Sequence, residues 1–226
     1  MRIPGNFADA PLHKSVFYCY NKPNPRRGCG HGERSAKRGR TMDLASKLVE
    51  AAQAQGASNA AVVDVKKFTF RPEFREACAA NACGSYGRCW MCPPDVGDIH
   101  EMIAEAKQRQ QALVFQSIGQ LEDSYDFEGM QEAGQAHNTL AQMLAEQVLP
   151  LLHNPLLMSA GACHLCERCA RIDNVPCRFP DKAIASLEAY GIAVSELAAS
   201  CGMRYINGEN TVTYFGAFLF DMEGEA

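Results

Sequence analysis

From Asp43 onward the apolar residues Leu44, Leu48, Val49 and Ala52 recur at helical spacing, and Gly56 is placed to stop the segment. The next run, "AAVVDVKKF", reads as a strand. "DIHEMIAEAKQRQQ" returns to a helical period, with Asp95 or Asp98 placed to cap its start, and "ALVFQSIG" reads as a short buried strand. A long helical pattern then extends from about Glu128 to Leu149, where Pro150 ends or kinks it. "NPLLMSAGA" is a further candidate strand, "PDKAIASLEAYG" and "VSELAASCG" are candidate helices, and the β-rich "NTVTYFGAFLF" follows. The alternation predicts an α+β domain: one mixed β-sheet covered by helices, with two cysteine-rich metal loops sitting beyond strand ends. There is no repeat at a fixed short period, although each half brings an extended apolar run into a cysteine loop.

A single core fits 226 residues with 47% hydrophobic and 21% charged content. No run nears the roughly 18 apolar residues of a membrane span, and Asp9, Pro11, His13 and Lys14 interrupt any secretory core near the N-terminus. The expectation is a cytoplasmic protein. Charge divides the chain at one point. Residues 1–41 hold nine Lys or Arg against two acidic residues, leaving thirteen against twenty-four in 42–226, so the head is +7 and the body −11. The head is rich in Pro, Gly, Asn and Ser without apolar periodicity, which predicts a disordered basic arm, or else a biological start at Met42. A real arm would touch nucleic acid or an acidic partner; otherwise no nucleic acid and no membrane is expected. Cys19, Cys29 and His31 lie in this head without a fourth ligand nearby and are not assigned to a metal.

Eight of the eleven cysteines fall into two stretches, "CAANACGSYGRCWMCPP" at 78–94 and "ACHLCERCARIDNVPCRFP" at 162–180. Clustered C-x2-C spacing in an intracellular chain points to metal rather than to a disulfide framework. Cys163, Cys166 and Cys169 follow C-x2-C-x2-C, with Cys177 after them. Successive x2 turns set thiolates around one cubane and aim backbone N–H groups at its sulfurs, which favours a 4Fe-4S cluster; a structural zinc site uses two C-x2-C pairs apart, and zinc stays the alternative. Cys177 closes this centre or serves the other one. The first group, Cys78, Cys83, Cys89 and Cys92, has Gly84 and Gly87 to fold the backbone tightly and Pro93–Pro94 to stiffen its exit. Trp90 either covers a cluster and excludes water or fills core. Arg171 and Arg178 lie within the second ligand loop, where guanidinium groups stabilise a cluster's negative charge. His164 adjoins a ligand with its ring expected to face away, Cys201 is expected as a small core residue, and Glu188 and Tyr190 as packing residues.

No Gly-rich phosphate loop, dinucleotide fingerprint, H-E-x-x-H pair or C-x3-C-x2-C triplet is present, so nucleotide-driven and radical chemistry have no motif behind them. Taken together, "CGSYGRCWMCPP", "GACHLCERCA", "PCRFPDKAIASLEAYGI" and "TVTYFGAFLF" resemble a family of predicted metal-binding proteins, the domain of unknown function 2284, over roughly residues 43–220. The resemblance implies ligands at Cys78, Cys83 and Cys92 and at Cys163, Cys166, Cys169 and Cys177, with Cys89 at a tolerant position. A first cluster with three protein thiolates, or with a borrowed fourth, follows from that implication. The expected function is an iron–sulfur protein, with one or two 4Fe-4S clusters, that passes electrons to a partner enzyme. The acidic body suits a basic redox partner. The alternatives are a structural zinc-binding interaction module and an enzyme with substrate on an open cluster iron.

Overall fold

The computed structural model describes residues 43–222. Asp43 opens helix α1 (Leu44–Ala54) by accepting from the Ser46 amide at 2.8 Å, and Gly56, at φ +99°, ends it. Strand β1 (Asn59–Asp64) is shorter than its apolar run. The Asp64 carboxylate takes the Lys66 amide at 2.8 Å and turns Val65–Lys67 into a 3-10 helix. A short helix α2 (Phe74–Ala79) carries Cys78, so the first cysteine group begins on a helix rather than in a loop. Helix α3 (Ile99–Lys107) is capped by Asp98, which accepts from His100 and Glu101, and Asp95 is used elsewhere.

Strand β2 (Gln111–Gln120) leads to helix α4 (Phe127–Val148), which stops before a 3-10 turn holding Pro150. Strand β3 (His153–Ser159) shifts register between His153 and Leu156, around Pro155, which has no amide to give the ladder. Strand β4 is only Ala185–Ser186; helix α5 (Val194–Ser200) and strand β5 (Thr211–Asp221) complete the chain.

The sheet order is β1-β2-β5-β3-β4, antiparallel except for β3 with β4. A parallel neighbour demands a long crossover, usually a helix. Here the crossover is the second cysteine loop itself, so the sheet grips both of its ends. β2 and β5 lie at the centre and are apolar on both faces, as strands covered on both sides should be. Leu113, Phe115, Phe218 and Phe220 meet Leu48 of α1 and Leu140, Leu144 and Val148 of α4. On the other face Val114, Phe215, Ala217 and Leu219 meet Tyr190, Ile192 and Leu197, and Met91 from the first cysteine group rests against this second core.

"PDKAIASLEAYG" is not a helix. Its backbone is taken by tertiary partners: Gly191 O accepts from Arg71 at 2.6 Å, Ala193 N donates to Thr69 at 2.9 Å, and only a 3-10 turn, Glu188–Tyr190, remains. Among the described residues no helix is long and apolar enough to cross a membrane. The basic head and the start at Met42 lie outside the described residues.

Candidate metal centre

The first cysteine group is folded by tight turns. Gly84 and Gly87 adopt positive φ (+74° and +66°), the Gly87 amide reaches Pro93 O at 2.8 Å, and Cys92 N donates to Cys89 O at 3.0 Å. The chain thereby closes into a knuckle with Cys89 inside, 5% exposed, and Cys83 outside. The second group leaves the end of β3, and Cys169 starts a 3-10 turn over Ala170–Asp173 that Asn174 ends in the left-handed region. Arg178 Nη1 donates to Arg168 O at 2.8 Å, while Arg168 pairs with Asp173.

Three contacts hold the two groups together. Trp90 Nε1 donates to Val175 O at 3.0 Å, the Arg171 guanidinium stands 5.3 Å from the Trp90 ring centroid, and the same arginine pairs with Asp95 at 2.7 Å. This pair is largely shielded from water, with side-chain exposures of 26% and 16%, so salt screens it less than a surface ion pair while desolvation offsets part of the attraction. Asp95 acts here as the tie between the two cysteine groups.

Cys89, Cys163, Cys166, Cys169 and Cys177 line one small void. Trp90, Leu165 and Phe179 form its apolar wall, and Arg178 also borders it. Cys89 belongs to the first group in sequence and faces the second in space. Its thiol is linked to Cys92 and Cys169, and the backbone amides of Met91 and Cys163 point at its sulfur. The hydrogen bond shared with Cys92 is the main cause that lowers the Cys89 thiol to about 6 and raises that of Cys92. Burial raises the Cys163 thiol, against the backbone amides of Leu165 and Ile184 that point at its sulfur. Burial likewise raises Cys78, which feels Cys83; Cys92 feels both. Cys78, Cys83 and Cys92 thus lie within electrostatic reach of one another, and Cys92 also of Cys89, which lines the void with four further cysteines.

Among the described residues, no three His, Cys, Asp or Glu side chains are gathered in a grip for a metal ion. His164 is exposed. Cys201 lies half-buried beside Ser200 and does not line the thiol void, and Tyr190 is buried in the core. A cleft that sequence reasoning missed opens on the other side of the second loop, where α4 presents Gln135, Asn138, Thr139 and Gln142 to Cys163 and Cys166. The signal for it is a polar stripe at i, i+3, i+4 and i+7 on a helix whose opposite face is core.

No curated protein and no solved structure matches the chain. A family model described as "Predicted metal-binding protein (DUF2284)" matches residues 61–220, the span that contains both cysteine groups, all five strands from Ala61 on and the crossover loop. The chain belongs to this family of predicted metal-binding proteins.

Proposed function

We propose that the chain is an iron–sulfur protein that holds two 4Fe-4S clusters and passes electrons to a partner protein. The observation that carries this reading is the ring of cysteines around one apolar-walled void. A zinc ion draws four ligands to about 2.3 Å from a single point. A cubane spreads its thiolates around four corners, and five cysteines from the two groups line this one void. Backbone amides aimed at Cys89 and Cys163 stabilise thiolate charge, as cluster sites require. A cluster bound here supplies one-electron chemistry at a potential that its surroundings tune.

The protein's own residues set those surroundings. Trp90, Leu165 and Phe179 exclude water, and Arg178 brings positive charge to the rim. Cys78, Cys83 and Cys92 hold the first cluster, and the tie between Trp90, Val175, Arg171 and Asp95 fixes its distance from the second. The −11 charge of residues 42–226 favours encounter with a basic redox partner.

A second reading is favoured by the position of Cys89. With that thiol turned to the second void, the first cluster keeps three protein thiolates and one iron open to substrate. Protein purified without oxygen should contain about eight iron and eight sulfide per chain, with a visible absorption that dithionite bleaches. Stoichiometric zinc in a colourless protein would overturn the electron-transfer proposal and its open-iron variant together.

A further inference from the structure

The cleft between α4 and the second cysteine loop measures ≈ 490 Å³. Cys163, Leu165 and Cys166 line both this cleft and the thiol void, so these residues are the partition between them. A molecule in the cleft would lie against two of the cysteine residues that line the thiol void. Its opposite wall is a helix face of uncharged hydrogen-bonding side chains; on the loop side His164 and the Glu167 carboxylate also line it, and no Lys or Arg does among the described residues. Phosphates and carboxylates, which call for cationic or oriented-amide partners, are therefore poor occupants.

The hydrogen bonds behind this wall give it a direction. Gln142 Nε2 donates to Lys182 O at 2.9 Å, which leaves its Oε1 to accept. Asn138 Oδ1 accepts from the nearly buried Ser159 hydroxyl at 3.0 Å, which leaves its Nδ2 to donate. Thr139 commits its hydroxyl proton to Gln135 O at 3.0 Å and keeps its lone pairs. Residues 138 and 142 are neighbours one turn apart on the same helix face, so a donor and an acceptor stand side by side, each braced from behind.

We propose that this cleft binds a neutral heterocycle with a lactam edge, a carbonyl beside an N–H, and holds it against Cys163 and Cys166. The ligand carbonyl accepts from Asn138 Nδ2 and its N–H donates to Gln142 Oε1. Half-buried amides built to meet such an edge reject molecules that lack it, because the side-chain groups would then go unpaired. The inference rests on the iron–sulfur reading only for what the ligand meets across the partition; the wall on α4 stands independently of the metal.

Riboflavin is a suitable probe, being uncharged and carrying this edge in its ring system. Equilibrium dialysis of the full chain, purified without oxygen, should show saturable riboflavin binding. Asn138→Leu and Gln142→Leu should each weaken it at least about tenfold, a loss of about 1.4 kcal/mol. Iron and sulfide content, measured on the same samples, should match the native protein, since neither side chain lines the thiol void. Absence of binding up to about 1 mM riboflavin, or equal affinity in native protein and both variants, would overturn the proposal. Should the preparation carry zinc and no colour yet bind riboflavin with the same pattern across variants, the cleft assignment stands and the electron-transfer reading falls.

Discussion

Replacing Cys166 with serine should remove about half of the bound iron and sulfide, from about eight of each to about four, and halve the visible absorption. Cys166 sits in the middle of the C-x2-C-x2-C run and faces the void shared with Cys89, Cys163, Cys169 and Cys177. A hydroxyl is a much poorer ligand for iron than a thiolate, and the middle cysteine has no neighbour in the run that replaces it without unwinding a turn. Cys83→Ser should remove the other half, because Cys83 belongs with Cys78 and Cys92. Cys201→Ser, at a residue that does not line the thiol void, should leave the content unchanged. Full iron content in Cys166→Ser would place the second cluster elsewhere and count against the proposal.

The largest effect on stability is expected at Gly216. This residue of β5 pairs with Phe115 of β2, and a Cβ added there would come within 2.3 Å of the Phe115 ring. Phe115 is fully buried and has no free space to retreat into: its ring meets Phe218 edge-on at 5.1 Å and stacks on His137 at 5.6 Å. Gly216→Ala must therefore push the ring off its rotamer or part the two central strands, at a cost of about 2–3 kcal/mol. The thermal midpoint should fall by about 5–10 °C. Phe115→Leu in the same chain should recover part of the loss, since the three atoms nearest the added Cβ all belong to the Phe115 ring. An unchanged midpoint would contradict the β2–β5 register. The same close approach explains a glycine in the middle of a central strand, where its lack of a side chain otherwise weakens the ladder.

Helices α1, α3 and α4 were legible because each buries one stripe and starts at an aspartate that caps it. The two central strands were legible because residues buried on both faces read as unbroken apolar runs. The apolar spacing of residues 180–191 suits a helix, but their backbone instead serves Arg71 and the end of β3, far away in sequence, and no local pattern carries that information. The two cysteine groups were legible as groups. The full surroundings of Cys89 were not: its C-x2-C spacing joins it to Cys92, a contact it keeps, but spacing does not show that it also lines the void with Cys163, Cys166, Cys169 and Cys177. Cys177, left open by spacing, comes to the second void through a loop that both β3 and β4 restrain. The polar wall of Asn138 and Gln142 reads in sequence as an ordinary solvated helix face, and only the crossover loop folded against it makes a cleft.

Trp90 is the protein's single tryptophan, and its indole is tied to Val175, stands beneath Arg171 and walls the thiol void. Indole fluorescence from this molecule therefore arises at one place, beside the cysteines. Any visible-absorbing occupant of the void will drain that emission by energy transfer, and stripping it will restore the light. The fold thus carries its own optical gauge, by which filling and emptying of the site can be timed in an unlabelled chain.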